Sequence, residues 1–216
     1  MARPLPDHPS TGFRPSALLL LVLAALLLLG ARVLATGRST YVFLVWNLAL
    51  ALAPVPIGDL AVRALRGRST FGLLIGATLA AVWLALFPNA PYLVTDFVHL
   101  HRRGEWSLHD VAMMASFAAA GWLAAVRSLL TWTDLPFPRD RRLGFVALST
   151  VTGLAGFGIY LGRVHRLNSW DLATKPDEVL ATLDRVLRLE LPQAAAFASL
   201  FAVALATTTL LALRRS

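Results

Sequence analysis

Two groups of polar residues in this chain have types and spacings that could do chemistry. Asp96 and His99 stand three residues apart, which on a helix places a carboxylate and an imidazole on one face, the arrangement of an acid–base pair or of two metal ligands. The plainer reading of the same pair is the solvated polar face of an interfacial helix. Arg163, His165, Arg166 and Asp171 form the second group. Guanidinium groups grip phosphate and carboxylate in a two-pronged geometry, so one reading is an anion site. The other is an interfacial anchor, with the arginines at lipid headgroups and Trp170 in the aromatic belt. Asn168-Ser169-Trp170-Asp171 is more polar than anchoring requires, although Ser169 would also serve as a helix cap. Asn47 interrupts an apolar run, where an amide is costly without a partner, and so points to a helix contact or a lined cavity.

Several chemistries are excluded or unsupported. The chain has no cysteine, which removes disulfides, thiolate catalysis and cysteine-ligated metals. His99 and His101 are two apart and would point to different sides of a helix, and no His-Glu-x-x-His pattern suggests a zinc protease. The spacing of Gly156, Gly158 and Gly162 departs from the dinucleotide fingerprint and follows no strand, so a nucleotide site is rejected. No residue pattern names a cofactor. The net charge of +8 comes from arginines scattered at the ends of apolar blocks, which favours anionic lipid headgroups over nucleic acid as partners.

The elements that must position these residues are membrane spans. Of 216 residues 57% are hydrophobic and 15% charged, and the apolar residues fall into six blocks, each near the roughly 20 residues needed to cross hydrocarbon. The expected fold is an all-α transmembrane bundle in one membrane domain, 1–216, with a polar tail over 1–15 and a long extramembrane segment over 163–191. The first block, 16–35, opens like a signal peptide but is long for one, so an uncleaved helix is expected, with Arg32 snorkelling to the interface. The second, 40–60, carries Pro54 and Pro56 and should be kinked or unwound at that end, ahead of the basic stretch Arg63, Arg66 and Arg68. The third, 71–87, has Gly72 and Gly76 on one face for a close helix approach, and stops at Pro88.

If 91–103 is helical, a 100° step gathers Tyr92, Asp96, His99 and Arg103 in one sector, with Leu93, Val94, Phe97 and Leu100 opposite. Asn89 would cap this helix, which is too short to span and is expected at the interface or re-entrant. The fourth block, 109–130, is rich in Ala, Gly and Ser, as suits a helix buried among helices. Arg127 near its end and Asp59 of the second block fit snorkelling or a local ion pair. The fifth, 143–162, offers Gly158 and Gly162 as a small-residue face. An amphipathic helix should follow, capped by Thr174, with Pro176, Asp177 and Glu178 in its first turn and Val179, Leu183, Val186 and Leu187 as its apolar stripe. The sixth block runs 192–213.

Six spans put both termini on one side, which then holds eleven of the 20 basic residues when Arg127 is included, against nine opposite. That balance weakly favours cytoplasmic termini. Whatever the orientation, the loop of Tyr92, Asp96 and His99 and the loop of Arg163 to Asp171 emerge on one face, with Asn47, His109 and Asp110 toward it.

Three stretches carry a resemblance to the domain of unknown function 1361 family: Tyr41 to Ala51 with Trp46-Asn47; Pro88-Asn89-Ala90-Pro91-Tyr92-Leu93-Val94-Thr95-Asp96 with His99-Leu100; and Gly158-Ile159-Tyr160-Leu161-Gly162-Arg163 with Arg166 and Asn168-Ser169-Trp170-Asp171. They span 41–171, with the first helix and the tail outside them. The resemblance implies a bacterial multi-pass protein of the inner membrane with no established activity, so it assigns no catalytic residue. The residues themselves leave three expectations: a membrane-embedded binding or transport component with a polar site on the face shared by 88–110 and 163–171, a membrane enzyme acting on a lipid-linked or headgroup substrate, or a structural or assembly subunit.

Overall fold

The computed structural model describes residues 15–67, 69–101, 107–133, 135 and 141–215. The polar tail, Arg68, Arg103 and Arg139 lie outside the described residues. Among those described, every regular element is helical, and six helical rods are long and apolar enough to cross a membrane. The chain is a multi-pass membrane protein. Leu20, Leu27, Leu74, Leu200 and Val203 point outward, as they must where the solvent is hydrocarbon and every backbone polar group is satisfied within its own helix.

The first rod is α1 (Pro15–Thr36). The second is split into α2 (Phe43–Leu52) and α3 (Pro54–Arg66) at Ala53. Pro54 has no N–H to give and crowds the carbonyl four residues back, so the break falls where the prolines predict it. Helix α3 continues past the expected end of the span, taking Arg63 and Arg66 into its last turn, where cations complement the negative end of the helix dipole. Ser69 caps α4 (Thr70–Leu86), and Gly76 lets α4 close on α3, since a Cβ there would stand 2.6 Å from Leu65 Cγ.

Pro88 does not end this rod in a loop. The chain turns through α5 (Asn89–Tyr92), a 3₁₀ turn (Leu93–Phe97) and α6 (Val98–His101). Asn89 is therefore inside the turn rather than its cap, and its amide nitrogen donates to Leu86 O at 2.8 Å. Of the two expected placements, interfacial or re-entrant, the burial of Ala90, Pro91, Leu93, Asp96 and Leu100 fits the re-entrant one. In a 3₁₀ turn side chains three apart eclipse, so Leu93, which packs at Gly121 of the next long helix, and Asp96 are both buried instead of standing on separate faces.

Helix α7 (Leu108–Trp132) is the hub. Its apolar stretch is 67% buried, against 11% in α1, and its small residues let neighbours come close. A capping box of Ser107 and Asp110 starts it. Helix α8 (Arg141–Val164) pairs mainly with α11 (Leu191–Arg215); between them lie α9 (Asp171–Thr174) and α10 (Pro176–Arg185). Thr174 is not a cap: its hydroxyl donates back to Trp170 O at 3.1 Å. Nor is α10 a separate surface helix, because a π-helical turn (Val186–Glu190) fuses it to α11 in one 39-residue rod. Pro192 cannot donate into the helix ladder, and a wide turn just before it absorbs that irregularity. Of the predicted stripe, Val179 and Val186 are buried while Leu187 faces out.

The bundle thus has two parts. One is α1–α7, packed around a core of Phe87, Leu93, Met113, Met114 and Phe117 that also takes in Ala155 of α8 and Leu205 of α11. The other is the α8/α10/α11 unit, with a smaller core of Tyr160, Val186 and Ala194.

Candidate functional site

The seam between these two parts brings the two polar loops together. Helix α8 can approach α5 because Gly158 has no side chain: a Cβ there would lie 2.7 Å from Pro88 Cγ. One turn on, Gly162 faces the ring of Tyr92. The last turn of α8 then delivers Arg163 to the 3₁₀ turn. Its Nη1 donates to the Tyr92 hydroxyl at 3.2 Å and to Asp96 Oδ1 at 3.4 Å, and its Nη2 to Thr95 O. The guanidinium carbon sits 5.6 Å from the centre of the Tyr92 ring.

Asp96 is the focus of this cluster and only 2% exposed. Besides Arg163 it accepts a hydrogen bond from Asn47 Nδ2 at 3.1 Å, and His99 Nε2 stands 3.8 Å from its Oδ1. The ring of His99 packs edge-on against Phe43, 5.1 Å between centroids. A solvated polar face therefore does not describe Asp96. Burying a carboxylate is costly without countercharge and hydrogen bonds, and the amide of Asn47 together with Arg163 supplies both. The expected helix partner of Asn47 is thus a carboxylate 49 residues away.

A second polar bridge crosses the seam where Asn89 Nδ2 donates to Ser169 Oγ at 2.9 Å. The loop holding Ser169 is shaped by Arg166, which adopts a left-handed φ of 59°, a strain of about 1–3 kcal/mol for a residue with a side chain. It is closed by Asp171, whose Oδ2 accepts from Asn168 N at 2.7 Å and from Asn168 Nδ2 at 3.3 Å. Asp171 serves its own turn in this way and does not join Arg163. Arg166 is exposed, and Trp170 lies beside Trp46 at 6.3 Å between ring centroids. The predicted cluster is hence divided: Asn47, Tyr92, Asp96, His99 and Arg163 converge, Asn89 and Ser169 join beside them, and Asn168 and Asp171 form the adjoining turn.

Alongside runs a groove of about 390 Å³ between α2, α4, α8 and α10, within the roughly 300–1,000 Å³ of small-molecule sites. Its polar lining is Asn47, Asn89, Tyr92, Asn168 and Ser169. Its deeper wall is apolar, with Leu50, Leu84, Leu154 and Phe157. Leu84 and Leu154 are 37% and 48% exposed, so that end opens sideways, toward hydrocarbon. Asp96, Arg163 and His99 stand behind the lining, in contact with it through Asn47 and Tyr92.

Other polar residues bind helices together. Arg32 does not snorkel; its Nε donates to Asp110, and its guanidinium covers the Tyr41 ring at 4.4 Å. His109 Nε2 lies 2.9 Å from Leu28 O. His109 and Asp110, expected on the face shared by the polar loops, tie α7 to α1 there. Sequence reasoning also passed over Glu190, which receives Tyr160 Oη at 2.8 Å, His165 Nε2 at 2.8 Å and Arg185 Nε at 3.2 Å. Its only signal was a lone acid ahead of the last span, and the π turn that aims it at α8 has no local motif. Among the described residues no group of three or more His, Cys, Asp or Glu side chains is arranged to hold a metal.

A family model described as a protein of unknown function, DUF1361, matches residues 46–208. The match leaves α1 outside but reaches well into α11, further than the three motif stretches extend. No curated protein and no solved structure matches the chain.

Proposed function

We propose that this chain, which belongs to the DUF1361 family, is a membrane-embedded binding component whose site is the groove along the seam. The observation that carries the reading is the juxtaposition of a laterally open apolar groove with five polar side chains at its headgroup end, held in place by a buried ion pair. A rigid polar rim over an apolar slot is what an amphiphile requires: hydrogen bonds fix its head, and its chain leaves into the bilayer. Asp96 and Arg163 act as the frame of this site, since each is already neutralised by the other. In a bacterial inner membrane with both termini cytoplasmic, as the basic residues weakly favour, the groove opens on the outer face.

The test is to fill the groove without touching the ion pair. Ala85 lines the wall and is half-buried. Wild-type protein extracted in mild detergent should carry a bound lipid by native mass spectrometry, and Ala85→Trp should lose most of it at an unchanged unfolding temperature. Equal lipid retention in the two proteins would remove the groove as the site.

A further inference from the structure

We infer that the groove selects an uncharged, hydroxyl-bearing headgroup, that of a glycosylated diacylglycerol. This rests on the groove being the binding site. The first observation is charge: the lining contains no Arg, Lys, His, Asp or Glu. Of the two arginines flanking the rim in sequence, Arg163 is committed to Asp96, Tyr92 and Thr95, and Arg166 is exposed and outside the lining. A phosphate drawn against this rim would be desolvated without a countercharge, which is heavily unfavourable.

The second observation is the hydrogen-bonding capacity left over. The amide nitrogens of Asn47 and Asn89 are used within the protein, by Asp96 and by Leu86 and Ser169. Asn168 spends its nitrogen on Asp171. Among the described residues, nothing donates to the amide oxygens of these three asparagines. Ser169 accepts from Asn89 and keeps its own proton to give. The rim thus presents three amide-oxygen acceptors together with donors: the hydroxyls of Ser169 and Tyr92 and the second N–H of Asn47 and of Asn168. A hydroxyl group both donates and accepts and satisfies both sides of such a rim; an ionised phosphate only accepts and leaves the three amide oxygens unmet.

The third observation is aromatic. Trp46 and Trp170 are 59% and 42% exposed, 6.3 Å apart, and are the chain neighbours of the rim residues Asn47 and Ser169. Their apolar ring faces offer a platform for the C–H face of a sugar, with hydroxyls turned to the amides.

The experiment compares three lipids of identical chains on the purified full chain: monoglucosyl diacylglycerol, phosphatidic acid and phosphatidylethanolamine, each titrated in detergent and followed by native mass spectrometry. The glucolipid should bind about tenfold tighter than either phospholipid, a difference near 1.4 kcal/mol. This comparison needs no variant. Ser169→Ala and Trp46→Leu should each narrow the ratio several-fold, while Ala85→Trp should abolish binding of all three. Equal or tighter binding of phosphatidic acid or phosphatidylethanolamine by the wild type, lost in Ala85→Trp, overturns the headgroup assignment and leaves the groove as the site. Binding of all three lipids unaffected by Ala85→Trp overturns the groove itself.

Discussion

Two carboxylate–arginine pairs lie toward opposite ends of the bundle and are built on different terms. Asp59 on α3 and Arg127 on α7 meet at 3.3 Å, each side chain 27% exposed, with Thr131 donating to the carboxylate at 2.8 Å. Asp96 and Arg163 meet at a similar 3.4 Å, but Asp96 is 2% exposed and the pair joins the α1–α7 part to the α8/α10/α11 unit. The distances are nearly the same and the burdens are not. A half-buried pair keeps part of its hydration, whereas a fully buried carboxylate must replace all the hydration it has lost. The seam is therefore held by a contact whose halves are safe only together. The opposite face carries a contact that either partner could do without.

Removing one partner from each pair breaks or sharpens that contrast. The largest effect should come from Arg163→Ala, which strands Asp96 at a cost of about 3–5 kcal/mol, read as a lowered unfolding temperature in detergent. Adding Asp96→Asn to Arg163→Gln should recover most of the loss. A single-variant cost below about 1 kcal/mol would make the two pairs equivalent. Next come two glycines of α8. Gly158→Ala drives a methyl against Pro88 and should destabilise by about 1–3 kcal/mol. Gly153 has nothing within 4 Å of its added Cβ, and Gly153→Ala should stabilise by up to about 1 kcal/mol through helix propensity. Opposite signs at two positions on one helix would place the close contact at the seam; equal effects would deny it. The smallest effect belongs to Asp59→Asn, expected within about 1 kcal/mol and shrinking further as salt is added.

Much of this was legible in the sequence. Six apolar blocks fix six spans, because only a helix satisfies its own backbone in hydrocarbon. Pro54 marked the break in the second rod, and Gly72, Gly76, Gly158 and Gly162 marked faces where helices meet. Alternation across the membrane put the loops of Asp96 and Arg163 on one side. Their contact at 3.4 Å was not legible, since a shared side fixes no distance. The ion pair of Asp59 with Arg127 was one of two readings of their shared end of the bundle.

What was not legible depended on partners far along the chain. A helical wheel assumes a 100° step, and the 3₁₀ turn of Leu93–Phe97 does not keep it. Arg32 looked like a residue reaching for water, yet Asp110, 78 positions away, claims it. Thr174 and Asn89 have cap-forming side chains, but their hydroxyl and amide found Trp170 O, Leu86 O and Ser169 instead. The π turn that fuses α10 to α11 answers to Pro192 and to the cluster around Glu190, and neither constraint is local.

Residue order alone determined the membrane class, the number of spans and which loops share a side, because these follow from local hydropathy and chain connectivity. Tertiary structure alone decided that Asp96 is buried, that Arg163 is spent on it rather than offered to a ligand, and that an uncharged groove lies alongside. The physical reason is that burial and neutralisation are properties of what surrounds a side chain, and at this seam the surroundings come from parts of the chain up to 80 residues apart.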